Sequence, residues 1–422
     1  MKSRLGINKL MAGLVVCVIV AAAVIGYFAY SLMKPPASAQ PIKIGFLGDL
    51  TGALAVYGYS NQLVLSATIR KINAEGGIGG RSVELYIEDT ETKVATAVLR
   101  MRKLIEYYDV DFIIGSQHSG INIATNPIAK ELRTVTFQVG EASEITAEEG
   151  NRYVFRINNN VREQVLAGIE YAVKNVAEKW VTIVADYSWG WSNEEEFRRY
   201  APEFGGEVLK SLRIPLGTKD FMPYLIQIPD EAEGVFYAFF FADFLSLIRD
   251  LNAVRPDLKH YCPICAPEGI DTEELGELFE GAYVLSWFPR YLSEYDTQYN
   301  REFRVAVGID ENGKEVKTGS TLTLSHSWSV WEAMYAIKRA IEESDWKSKE
   351  DNSDLIKTLE GIEFKESIEF PQGDKFIRAQ DHQAFMRHFL MQVVNGKLML
   401  VKVIPIEMAI YPPEVDYTKE PF

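Results

Sequence analysis

Cysteine is scarce, with three in 422 residues. Cys17 lies in an apolar N-terminal run, and Cys262 and Cys265 form a single Cys-Pro-Ile-Cys. One such pair supplies half of the four ligands that a structural zinc needs, and none of the five histidines stands at ligand spacing from it. The case for a metal is therefore weak. The pair reads as two thiols at a strand end, able to join in an oxidising compartment. Positive charge is also in deficit: 44 Lys and Arg against 59 Asp and Glu give a net charge of −15. That balance repels nucleic acid and anionic lipid surfaces, and no basic stripe offsets it. Internal repeats and low-complexity linkers are absent, which removes solenoids and tethered arrays. What is present is an apolar fraction of 47% with 24% charged residues, too apolar for disorder and too charged for a polytopic membrane protein. The length suits two domains better than one core.

The first forty residues differ from the rest. Lys2, Arg4 and Lys9 precede an uncharged run of 23 residues, Met11 to Met33. At about 1.5 Å per residue such a helix crosses a bilayer. Its length favours an uncleaved anchor. Ala37-Ser38-Ala39 before Gln40 favours a cleaved signal peptide. Either reading places the remainder outside the cytoplasm, since the positive end stays inside. Cys17 matches a lipoprotein signal poorly, because a small residue does not precede it.

From Pro41 onward strand and helix alternate. Ile42–Leu47 reads as a buried strand, followed by a loop containing Thr51, Gly52, Tyr57 and Gly58, then a helix over about 61–73. Gly76–Gly80 follows a helix and leads into a strand, the reverse of a phosphate loop, so it reads as a helix cap and turn. Further strands are expected at 83–88, 112–115, 134–139, 153–157, 180–185, 208–215, 234–240 and near Tyr261 and Tyr283, with helices between most of them. Near the end, 385–394 and 398–404 flank Asn395-Gly396, a two-residue hairpin signal. The fold class is α/β, with parallel sheets covered by helices.

In open sheets of this kind ligands lie beyond the carboxyl ends of the strands. The candidates there are Asp49 and Tyr57; Ser116, Gln117, His118 and Ser119; Glu141 and Ser143; Asp186, Tyr187, Trp189 and Trp191; Phe239–Phe241; and Glu268. Ser119 is expected to cap a helix, where a hydroxyl and free amides hold an anion or a carbonyl. Trp189 suits a flat ligand cover, and Glu268 an ammonium or amide N–H. Enzyme signals are thin. Gly115-Ser116-Gln117-His118-Ser119-Gly120 offers Ser and His side by side but is not G-x-S-x-G, so a hydrolase would have to rest on Ser119, His118 and Glu268, and Asp381-His382 has no visible partner.

In their order and spacing these stretches resemble a known family. Ile44-Gly45, Thr51-Gly52, Tyr57-Gly58, Ile72 to Arg81, Asp89, Gly115 with Ser119, Tyr153 to Arg156, Asp186 to Gly190, Asp220-Phe221 and Pro267-Glu268-Gly269 are similar to the leucine/isoleucine/valine-type (type I) periplasmic solute-binding proteins of branched-chain amino acid ABC transporters. The likeness runs from Pro41 to about Ile404. It implies two Rossmann-like lobes joined by three hinge strands, closing on ligand like a clamp. The implied division is 1–40 signal or anchor, 41–159 first lobe, 160–288 second lobe, 289–375 return to the first, and 376–422 a hinge return with a hairpin on the second.

The resemblance also implies roles: Ser119 for a ligand carboxylate, Tyr57 packing on the ligand, Glu268 for an ammonium, and Trp189 as an aromatic of the second lobe. Ser116, Gln117, Glu141 and Phe240 complete the expected ligand contacts. Glu141 and the Phe239–Phe241 run depart from the family pattern. An acid at 141 would repel a carboxylate, while two acids with aromatic walls suit an amide, urea or cationic amine. The expected function is capture of an amino acid or related small polar solute for an ABC permease and its ATPase. No catalytic residue, metal or cofactor is expected, nor nucleic acid as a partner, and the membrane enters only through residues 11–33. A ligand-sensing ectodomain and, last, an amide hydrolase are the alternatives.

Overall fold

The computed structural model describes residues 40–422 other than 240, 265, 267, 269–275, 277 and 289–295, with backbone alone at 241–243. The N-terminal segment, Phe240 and Cys265 therefore lie outside the described residues. Among the described residues no helix is long and apolar enough to cross a membrane, and no group of three or more His, Cys, Asp or Glu is placed to hold a metal. Cys262 is a buried free thiol.

Two sheets organise the chain. The first has five parallel strands in the order β2-β1-β3-β4-β5: β1 Ile42–Gly48, β2 Val83–Asp89, β3 Phe112–Ile114, β4 Val135–Phe137 and β5 Val154–Phe155. The almost wholly buried β1, β3 and β4 fit a sheet covered on both faces. The second sheet has seven strands. β6 Lys179–Ala185, β7 Glu207–Ile214, β8 Gly234–Ala238, β9 Lys259–Pro263 and β10 Tyr283–Ser286 run parallel. β14 His388–Val394 and β15 Lys397–Ile404 add an antiparallel edge against β10. This sheet is therefore mixed. The hairpin turns at Asn395 (φ 51°) and Gly396 (φ 71°), the pair of positive φ values that a two-residue I′ turn demands.

Several local expectations change. The first helix, α1, spans Ala55–Ala74, so Tyr57 lies in a helical turn and not in a loop. Gly58 had suggested a turn. It is required instead by a close approach, since a Cβ there would lie 2.0 Å from the Asp49 carbonyl oxygen. The helix Ser119–Glu131 is capped by His118, whose Nδ1 accepts from the Ile121 amide at 3.3 Å, and Ser119 is its first helical residue. The strand expected over 385–394 is split at Arg387. Ala384–Met386 is β13 of a small sheet with β11 Glu363–Phe364 and β12 Lys375–Ile377, and the chain then passes to β14. Gly76, Gly77, Gly79 and Gly80 all have positive φ, as a cap and turn require.

The chain runs from the first sheet toward the second just after β5. There Arg156 is fully buried and bridges to Gln383, pairing the two strands that pass between the sheets. Its guanidinium donates to Gln383 Oε1 at 2.7 Å and to the carbonyls of Gly140 and Ala142, both at 2.9 Å. Nη2 donates to the Thr146 hydroxyl, so each of the three nitrogens has a fixed acceptor, as a buried guanidinium requires. Helix Leu324–Ser344 packs against α1 and brings Ser325 and His326 to the carboxyl edge of the first sheet.

Candidate ligand-binding site

A cleft lies where the carboxyl ends of both sheets face each other. The space between atoms there is about 260 Å³ counting what is open to solvent, and it is lined by Leu54, Tyr57, Gln117, Glu141, Tyr187, Trp189 and His326. Post-strand position explains most of this set. Gln117 follows β3, Glu141 follows β4, and Tyr187 and Trp189 follow β6. Leu54 and Tyr57 belong to the start of α1, and His326 to the first turn of helix 324–344.

Glu141 is the centre of the polar chemistry. Trp189 Nε1, from the second sheet's side, donates to Glu141 Oε2 at 3.2 Å. His326 Nε2 forms an ion pair with Glu141 Oε1 at 3.2 Å. The other ring nitrogen of His326 stands 2.9 Å from Glu268 Oε2. Glu268 also accepts from the Ser325 amide at 2.9 Å and from the Ser325 hydroxyl. Burial opposes the charged imidazole, but the two glutamates outweigh it, and His326 is pushed up to about 10. The imidazolium is thus held between two carboxylates, with the Tyr57 ring edge-on at 5.0 Å and Trp287 at 5.4 Å.

A second carboxylate system lies beneath the β3 loop. Asp49, buried after β1, accepts from the Ser116 hydroxyl at 2.7 and 2.9 Å, from the Gln117 amide at 2.9 Å and from the His118 amide at 3.3 Å. Burial raises Asp49 above the usual carboxylate range while these donors pull it down. Burial also lowers His118, opposed by Asp49. The His118 ring packs on Tyr187 at 4.8 Å.

The structure therefore brings Tyr57, Gln117, Glu141 and Trp189 together around one space. Ser116 turns its hydroxyl away toward Asp49. Ser119 is fully buried, and its Oγ accepts from the Ala142 amide at 3.2 Å. Glu268 stands behind His326 and does not line the cleft. Phe240 lies outside the described residues. Leu54 and His326 were missed by sequence reasoning, and Tyr187 was named only among the post-strand residues. His326 is embedded in a helix pattern and follows no strand. Its one signal is a buried histidine within the polar stretch Ser325-His326-Ser327 that opens a long apolar helix.

A second cavity, about 500 Å³ counting space open to solvent, is lined chiefly by acids and arginines including Glu144, Glu196 and Arg162. The Arg162–Glu196 pair at 2.8 Å neutralises part of it. At the wall of this second cavity the Ser143 amide donates to Ser192 Oγ at 3.0 Å, joining the segment after β4 to the helix after β6.

Comparison with known proteins agrees with this geometry. A family model described as periplasmic binding protein matches residues 41–397. The Leu/Ile/Val-binding protein homolog 6 of Brucella suis biovar 1 is 25% identical over 376 residues, covering 87% of this chain and 91% of that protein. Among solved structures, an ABC transporter solute-binding protein from R. palustris in complex with benzoate superposes with a TM-score of 0.75 at 21% identity, covering 90% of this chain and 99% of its own. A branched-chain amino acid transporter substrate-binding protein from Streptococcus pneumoniae, in complex with isoleucine, gives 0.69 at 18%, with 86% and 99% covered.

Proposed function

The chain belongs to the periplasmic binding protein family, and on that premise we propose that it is the extracytoplasmic solute-binding component of an ABC importer. The observation that carries this reading is the cleft itself. Its walls come from the carboxyl ends of two separate sheets, and its polar contacts, Trp189 to Glu141 and Glu268 to His326, cross from one to the other. Such a site is made and unmade by relative motion of two bodies, which is what capture and release need. The lobe division at 41–159, 160–288, 289–375 and 376–422 belongs to the same proposal, with the crossings near Arg156 and Gln383 as hinge. So do ligand contacts at Tyr57, Gln117, Glu141 and Trp189, extended to Tyr187 and His326.

Capture without chemistry is the reading the side chains favour. Ser116 is spent on Asp49, and His118 Nδ1 accepts from the Ile121 amide, so neither activates the other. His326 is held protonated by two carboxylates and is a poor general base at neutral pH. Permease and ATPase subunits are the proposed partners.

A thermal-shift screen of small polar solutes tests the proposal, with each hit recovered and weighed by mass spectrometry. A ligand at 100 times its dissociation constant adds about 2.7 kcal/mol. The expected result is stabilisation by a solute that is returned intact. Conversion of the solute, or stabilisation by none, would reject it.

A further inference from the structure

Resting on the solute-binding reading, we infer that the cleft takes a compact solute that donates N–H groups and carries no carboxylate, of the carboxamide, urea or small amine type. Two places near the cleft attract charge, and the protein fills both from within. The anion-attracting amides of Gln117 and His118 already donate to Asp49. The cation-attracting pair Glu141 and Glu268 already holds the His326 imidazolium, one carboxylate at each nitrogen. A zwitterionic amino acid would have to displace an internal partner at each of its two poles.

The groups that remain are acceptors. A carboxylate offers about four lone-pair sites, and among the described residues the two oxygens of Glu141 face only Trp189 Nε1 and His326 Nε2. The side-chain oxygen of Gln117 is buried with no hydrogen-bond partner among the described residues. Both residues line the cleft beside the flat faces of Tyr57, Tyr187 and Trp189. Among the described residues His326 is the one cationic side chain lining it, and it is engaged at both nitrogens. Arg156, buried nearby, is committed to Gly140, Ala142 and Gln383. Among the described residues, a ligand carboxylate would therefore meet Glu141 with no uncommitted cation to offset it. At about 4 Å and an effective dielectric near 20, such a contact lowers binding roughly a thousandfold. An N–H donor instead satisfies Gln117 and Glu141 and stacks on the aromatic walls, and a cationic donor gains from those faces as well.

Titration calorimetry of the purified protein at pH 7.5 with acetamide, urea, ethylammonium chloride, L-leucine and sodium benzoate at matched ionic strength tests this. One of the first three should bind one-to-one and at least tenfold more tightly than leucine or benzoate, and which one binds separates neutral from cationic donors. Glu141→Gln should weaken that ligand at least tenfold. Gln117→Leu, at a half-buried loop position and of similar volume, should do the same if the first variant does not fold. Leucine or benzoate binding as tightly as any donor, or a folded variant with unchanged affinity, overturns the inference and leaves solute binding standing. Heat from none of the five overturns the inference, and the failure of a wider solute screen as well would remove the solute-binding reading with it.

Discussion

Glu141 and His326 meet at 3.2 Å, and this contact joins the end of β4 to the first turn of helix 324–344. With Glu268 at the other ring nitrogen, the histidine ties the loop beyond β9 to the first sheet's side of the cleft. Its cost and its benefit both depend on charge. A neutral imidazole could donate from only one nitrogen and would leave one glutamate buried against an acceptor.

That dependence gives a pH signature. His326 is pushed from its ordinary 6.5 up to about 10 in the folded protein. A group whose folded pKa is raised binds its proton more tightly when folded. Its stabilisation is therefore fully present below about pH 6.5 and is lost as pH rises through about 10. Chemical denaturation from pH 6 to 10 should give a stability difference between wild type and His326→Gln that shrinks with rising pH. Parallel curves would mean that the histidine is neutral in the fold.

Much of the frame was legible in the sequence because it rests on local pattern. A short, mostly apolar stretch such as Ile42–Leu47, bounded by turn signals, reads as a buried strand, and Asn395-Gly396 fixes a hairpin by its own backbone preferences. Post-strand position then picked out Gln117, Glu141 and Trp189 as residues that line the cleft. What the pattern missed depends on approach between distant segments. Gly58 looks like a loop glycine until the Asp49 carbonyl is seen against it. The amides near Ser119 look available until Asp49, some 70 residues earlier, is found among them. His326 carries no periodic signal, because its role comes from two glutamates remote in sequence.

Glu163, in the first turn of helix Val161–Tyr171, accepts from the Met386 amide at 2.9 Å where the chain passes back to the second sheet. Burial raises its pKa to about 8, against the lowering effects of that amide and of Lys375. For an acid the raised value means that the folded state holds a proton the unfolded chain has released. Stability from this site then falls as pH rises from about 4.5 through 8 and stays low above it. Glu163→Gln keeps an acceptor for Met386 without the charge. It should be close to neutral at pH 4.5 and stabilising at pH 8.5, by on the order of 2 kcal/mol. Equal effects of the variant at both pH values, measured by urea denaturation, would rule this out.

Trp189 Nε1 to Glu141 Oε2 is a hydrogen bond made across the cleft, so it exists only while the two sides are together. Trp189→Phe keeps an aromatic wall and removes the donor. A hydrogen bond to a charged group contributes about 1.5–3 kcal/mol, and losing it costs the closed form most. Ligand affinity should fall about tenfold, chiefly through faster dissociation in stopped-flow fluorescence, while the melting temperature without ligand moves little. A slower association with unchanged dissociation would place Trp189 on the entry path instead.

Lys375 and Glu332 form an ion pair with both side chains fully buried, and the Lys375 ammonium lies 4.2 Å from the centre of the Trp328 ring. Burial lowers Lys375, with Glu332 opposing, and raises Glu332 to about 7, with Lys375 opposing. Removing one partner leaves the other charge without compensation in an apolar interior, which typically costs about 3–5 kcal/mol. Removing both can be neutral, because the desolvation of two ions is recovered along with the loss of their attraction. Lys375→Met alone should therefore lower stability by several kcal/mol, and Lys375→Met with Glu332→Gln should restore most of it. Gln at 332 also keeps an oxygen for the Gln372 amide, which donates to Glu332 Oε1 at 2.9 Å. A double variant as unstable as the single would show that the ammonium is held for its contact with Trp328 and not for the pair.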